Sequence, residues 1–153
     1  MLRSDDSEPA KFIATPFNEE QGQFSPNGRW IAYTSNESGQ SDVYVREFSA
    51  DFGRSSANSA GSVLVSRGGG TAPRWRGDGR EMFYLAANGK MMAVDVSIGP
   101  EFHAGMPAPL FQTAPGTTVG DVTSDGKRFL LVTPPSASAP FIVVLSWTAA
   151  LKK

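Results

Sequence analysis

Short apolar runs separated by polar turns recur along this chain. Trp30–Thr34, Met82–Leu85 and Phe129–Val132 each follow a polar turn ending in Gly. After a polar connection each is answered by a second apolar run, at Val43–Arg46, Met91–Val96 and Phe141–Leu145. The runs are four to six residues long and rich in β-branched and aromatic residues, which predicts strands. Further strands are expected near Val63–Ser66, near Leu110–Gln112 and over Lys11–Thr15 (KFIAT). No stretch has the i, i+3, i+4 apolar spacing of an amphipathic helix, so the fold class is all-β.

The runs belong to a repeat. FSPNGRWIAYTS (24–35) aligns with WRGDGREMFYLA (75–86) and with VTSDGKRFLLVT (122–133). The pairs Asn27-Gly28, Asp78-Gly79 and Asp125-Gly126 are hairpin signals, because Asn, Asp and Gly tolerate the positive φ such turns use. The three glycines stand 51 and 47 residues apart. A period of roughly 40–50 residues in a strand-rich chain predicts propeller blades. The expected count is an orphan strand at 11–15, then four, four and three strands: three blades' worth, cut out of phase. Residues 1–10 read as a flexible leader, 11–153 as the propeller part, and 49–61 as a long loop within the first unit.

FSPNGRWIAYTSNESGQSDVYV resembles the TolB-type propeller repeat: an aromatic, Ser-Pro-Asp-Gly, a basic residue, an apolar run and a late Tyr-Val. Together with GGGTAPRWRGDGREMFYL and the ending IVVLSWTAALKK, it is similar to the C-terminal propellers of bacterial serine/threonine kinases. The sequence departs from the pattern at Asn27, which stands for the usual Asp, and at Arg76-Gly77 and Thr123-Ser124, which stand where Ser-Pro is usual. The resemblance implies a β-propeller of six or more blades, of which this chain supplies about three four-stranded ones, half of a six-bladed ring. It also implies recognition of a protein partner or a small ligand at the channel mouth.

Charge narrows the partners. Lys plus Arg is 14 and Asp plus Glu is 15, a formal charge of −1, which gives no electrostatic footprint for nucleic acid or an anionic membrane. There is no cysteine, hence no disulfide, thiolate metal site or cysteine nucleophile. No apolar run approaches the roughly 20 residues of a membrane span. The polar start MLRSDDSEPAKF lacks the pattern of a signal peptide, so the chain reads as cytoplasmic if complete, or extracytoplasmic if part of a membrane-anchored protein.

Candidate chemistry is sparse. The DFG at Asp51–Gly53 has no kinase companion motifs and reads as a chance match. RGGGTAPR (67–74) could cradle a phosphate through its amides, but it leads into strand residues and reads as a glycine-rich link between blades. His103 is the only histidine and reads as a loop residue rather than a triad member or metal ligand. Asp121 and Asp125 in DVTSDGK suggest calcium weakly, since the turn explains Asp125. Asn36 opens a formal glycosylation sequon in a polar loop. One column is more specific. Gln23, Arg74 and Asp121 each stand five residues before a turn glycine, on or before the innermost strands. They are candidates to face the channel, either binding a polar ligand or pairing with neighbours to seal it.

The expected function is therefore a non-enzymatic binding or scaffold module, with no cofactor and no metal. The alternatives are a hydrolase or lyase using channel residues, or a fragment of a larger sensor protein. Three blades cannot close a ring alone, so a homodimer is expected. Its seams would pair 11–15 of one copy, as a swapped outer strand, beside Phe141–Leu145 of the other. They would bury Phe12, Ile13, Trp30, Phe83 and Phe129 over more than about 2,000 Å².

Overall fold

The computed structural model describes residues 12–13, 15–48, 61–134 and 141–144. The described residues form twelve strands in three antiparallel sheets, without helix. The first sheet orders β1 (Glu19–Phe24), β2 (Trp30–Ser35), β3 (Asp42–Glu47) and β4 (Val63–Leu64) side by side. The second holds β5 (Gly70–Trp75), β6 (Glu81–Ala86), β7 (Lys90–Ile98), β8 (Phe102–Ala104) and β9 (Ala108–Gln112). The third holds β10 (Thr118–Val122), β11 (Phe129–Val132) and β12 (Phe141–Val144). These are three blades of a propeller.

One strand expectation changes. β8 is a strand that the sequence pattern did not mark. It pairs with the far half of β7 (Val96↔Ala104), while β9 pairs with the near half (Lys90↔Gln112). Gly105 N donates to Asp95 O at 2.8 Å between them, so β8 and β9 are one outer strand interrupted at Met106-Pro107. Pro107 and Pro109 lack an amide hydrogen, which an outermost strand tolerates. Of the orphan strand 11–15, Phe12, Ile13 and Thr15 are described and lie in no strand, and Lys11 and Ala14 lie outside the described residues. Also outside them are the leader 1–10, loop residues 49–60 and Leu145.

The three hairpins share one geometry. Ser25 N donates to Trp30 O (2.8 Å), Arg76 N to Glu81 O (2.9 Å) and Thr123 N to Arg128 O (3.0 Å). Gly28, Gly79 and Gly126 have φ of +71°, +69° and +71°, as the repeat predicts. Within each Asx-Gly pair the positive φ is confined to the glycine. Among the described non-glycine residues only Gln21 and Ala72 have it. The three Asx residues serve the turn through their side chains instead. Each Oδ1 accepts the amide two residues on, from Arg29, Arg80 and Lys127, at 3.0–3.1 Å.

Strand alternation sends successive side chains of each blade to opposite neighbours. Met82 and Tyr84 of β6 face the first blade, where they pack with Trp30, Ala32, Val43 and Val45. Phe102 sits at this junction, its ring 5.8 Å from Trp30 and 6.1 Å from Trp75. Phe83 and Leu85 face the third blade and meet Val119, Phe129 and Leu131, with Phe83 edge-on to Phe129 at 5.0 Å. Trp30, Phe83 and Phe129 are therefore buried between blades of one chain, which corrects their assignment to a seam between copies. The faces left at the two ends of the arc carry other residues. The first blade offers half-buried Ile31 and Phe24, which is 58% exposed, while the stacked pair Tyr33 and Tyr44 (5.9 Å) on the same face is itself buried. The third blade offers half-buried Leu130 and Val132, opposite Val143 and Phe141 in the ladder.

Candidate functional site

The innermost strands β1, β5 and β10 each carry a bulge, at Glu20/Gln23, Thr71/Arg74 and Val119/Asp121. A bulge re-aims side chains and is found next to functional sites. Here the re-aimed side chains join one blade to the next. Gln21, held at φ +58°, accepts through Oε1 from Ala72 N of the second blade (2.8 Å) and from Thr34 Oγ1 (2.9 Å). Arg74 donates to Pro73 O (2.8 Å) and, across to the third blade, to Val119 O (3.1 Å) and Gly120 O (3.0 Å). Burial pushes the Arg74 guanidinium below its ordinary range, and the Asp121 charge pulls it back up.

The three column residues thus diverge. Arg74 is a staple between blades. Gln23 is half-buried, and its carbonyl accepts from Trp75 Nε1 at 3.1 Å. Asp121 is exposed, its Oδ1 accepting from Val122 N at 2.8 Å, and forms no ion pair with Arg74. The turn residues lie at the opposite end of the strands from the inter-blade links. Arg76 bonds both Asp78 and Glu81 there. His103 is exposed on β8, with Nε2 3.6 Å from Glu101 Oε2. Among the described residues no His, Asp and Glu group is arranged to hold a metal. Asp51–Gly53 lies outside the described residues.

The link end carries what the sequence reading missed. Asp42 is 2% exposed and accepts from Ser66 Oγ (2.7 Å), Gly69 N (3.0 Å), Ser38 Oγ (2.7 Å) and Gln40 Nε2 (3.3 Å). Gly70 N donates to Ser41 O at 2.8 Å. Two amides of the glycine-rich segment are therefore spent inside the protein, one on a carboxylate, and the segment is a link. The four donors to Asp42 come from two separate loops, Ser38 and Gln40 from one and Ser66 and Gly69 from the other. Two clefts flank the Ala87–Gly89 turn at this end. One, of about 310 Å³, lies beside Arg67, Tyr84 and Lys90. The other, of about 430 Å³, lies between the second and third blades.

No family model and no curated protein matches this chain. Solved structures do. TolB from Acinetobacter baumannii superposes with a TM-score of 0.63 at 19% identity, over 92% of this chain and 33% of that one. This is a TolB-like propeller fold. An oligogalacturonate lyase from Vibrio parahaemolyticus matches with a TM-score of 0.51 at 14% identity, over 84% of this chain and 34% of that one. The chain spans about a third of each, and its three blades make half of a six-bladed TolB-like ring. Among the described residues no helix is long and apolar enough to cross a membrane.

Proposed function

We propose that this chain is a non-enzymatic propeller binding module, completed to six blades by a second copy. In this reading it recognises a protein partner or a small polar ligand through loops at the link end or through the channel. The observation that carries the proposal is the position of Phe12 and Ile13. An outer strand ends six positions before the next blade's inner strand begins, from Leu64 to Gly70 and from Gln112 to Thr118. Ile13 stands six positions before Glu19, where β1 begins. Phe12 lies with its ring 5.9 Å from that of Phe48, and both Phe12 and Ile13 line a groove with Ile31 and Tyr33 on the first blade's end face. The contacts of Phe12 and Ile13 support the reading that the segment serves as the outermost strand of a preceding blade. The edge of β12 has no paired strand among the described residues, and a two-fold axis would bring 11–15 of one copy beside it.

The engagement of Arg74 with three carbonyls occupies most of its N–H donors, which supports a structural role for it over a catalytic one in a hydrolase or lyase. Size exclusion with light scattering tests closure. At micromolar concentration the chain should run as a homodimer, and deletion of residues 1–16 should release monomer. A well-folded full-length monomer would overturn the closure.

A further inference from the structure

The cleft between the second and third blades is walled by Thr71 at the start of β5, by the β6–β7 turn with Leu85 and Asn88, and by the β9–β10 link from Gln112 to Thr117. Its volume, about 430 Å³, falls in the range of about 300–1,000 Å³ typical of small-molecule sites, toward the small end. No side chain lining it is charged. A charged ligand would shed its hydration there without gaining a counter-charge. The lining pairs hydroxyls and amides with a few apolar surfaces, among them Leu85 and Pro115. That combination suits a neutral molecule with hydroxyl groups at its edge and C–H groups on its faces.

The frame of the cleft is fixed. Thr113 N and Thr113 Oγ1 both donate to Gly89 O, at 2.9 and 2.7 Å, and Gln112 Nε2 donates to Asn88 O at 3.0 Å. These bonds lock the turn against the link. Thr117 is different. It is 7% exposed, and its Oγ1 is shut off from solvent without a hydrogen-bond partner. Buried hydroxyls are nearly always bonded, because an unmade bond there is costly. A threonine hydroxyl rotates with χ1, and the Thr117 side chain already forms part of the wall.

We propose that this cleft binds a neutral, hydroxyl-rich small molecule of monosaccharide size, and that the Thr117 hydroxyl bonds it. The proposal rests on the binding-module reading and gives it a site and a ligand class.

The test uses the full chain, titrated calorimetrically and by thermal shift with glucose, galactose, mannose, N-acetylglucosamine and myo-inositol. Glucuronate and glucosamine are the charged counterparts. At least one neutral compound should raise Tm, with the charged forms about tenfold weaker or worse. Thr117→Val keeps the branched shape and removes the orphaned hydroxyl. It should raise the ligand-free Tm while weakening binding about tenfold or more, and Thr117→Ser should restore binding. Absence of any shift with the neutral panel would overturn the proposal. So would a Thr117→Val variant that melts lower without ligand, since the hydroxyl would then be bonded within the fold. A charged compound that stabilises wild type and Thr117→Val equally would retain a binding module and refute this cleft. A dimer that ignores the neutral panel would refute the cleft and leave ring closure standing.

Discussion

Gly77 stands where the repeat usually has proline, and the structure gives the reason. Its amide donates to Ser124 O of the third blade's turn at 2.8 Å. A Cβ on Gly77 would lie 2.8 Å from Ser124 Cβ, 2.9 Å from Ser124 O and 3.2 Å from Ser124 Cα. Two of those atoms are backbone, so relief requires the two turns to part. Gly77→Ala thus adds an overpacking cost of about 1–3 kcal/mol. Parting the turns stretches the inter-blade hydrogen bond, worth about 0.5–1.5 kcal/mol. Against this, alanine restricts the unfolded chain and returns about 0.4–1 kcal/mol. The net expectation is a loss of about 1–3 kcal/mol, or a Tm fall of about 3–9 °C for a chain of this size. Gly99→Ala is the control. No heavy atom lies within 4 Å of its added Cβ, and its φ is not in the positive region, so it should be neutral or slightly stabilising. Both variants are melted by circular dichroism at equal concentration, because the proposed self-association would make Tm concentration-dependent. If the two melt within about 1 °C of each other, the docking of Gly77 on Ser124 is not what holds these blades together.

Acid stability should follow the second turn. The hydrogen bond from Arg76, helped by the Arg80 amide, holds the Asp78 carboxyl down to about 2 from its ordinary 3.8. A depressed carboxylate contributes stability above its unfolded value, and that contribution disappears as pH falls through the folded one. Asp78→Asn should therefore flatten the decline of Tm between about pH 4 and pH 2; an identical acid limb would refute the role assigned to Arg76. Arg74→Met should cost about 1–2 kcal/mol and lower Tm by about 2–6 °C, with Arg74→Lys recovering only part because one ammonium nitrogen replaces the separate guanidinium nitrogens that bond Pro73 O on one blade and Val119 O and Gly120 O on the next. An Arg74→Met protein of unchanged Tm that has lost ligand binding would make Arg74 a channel ligand rather than a staple.

The sequence by itself determined the blade. A turn needs a left-handed glycine and a side-chain acceptor two residues before the amide it caps. A strand packed on both faces needs a continuous apolar run. Both are local demands, so Gly28, Gly79 and Gly126 and the apolar runs beginning at Trp30, Met82 and Phe129 were legible from spacing alone. Tertiary structure decided how blades meet. Arg74 and Asp121 stand in one column, yet one reaches across to two carbonyls and the other faces solvent, because Arg74 has the third blade to reach and Asp121 stands on that last blade. β8 escaped notice because Phe102–Ala104 is too short to show a period and becomes a strand only against the far half of β7. Asp42 reads as an ordinary polar residue before an apolar run. Its donors come from Ser38, Gln40, Ser66 and Gly69, which only the folded chain brings around one carboxylate. The unpaired hydroxyl of Thr117 is likewise invisible in a list of residues. Hydrogen-bond satisfaction is a property of surroundings, and the surroundings of this inter-blade cleft are assembled from three separate segments, at Thr71, Leu85–Gly89 and Gln112–Thr117.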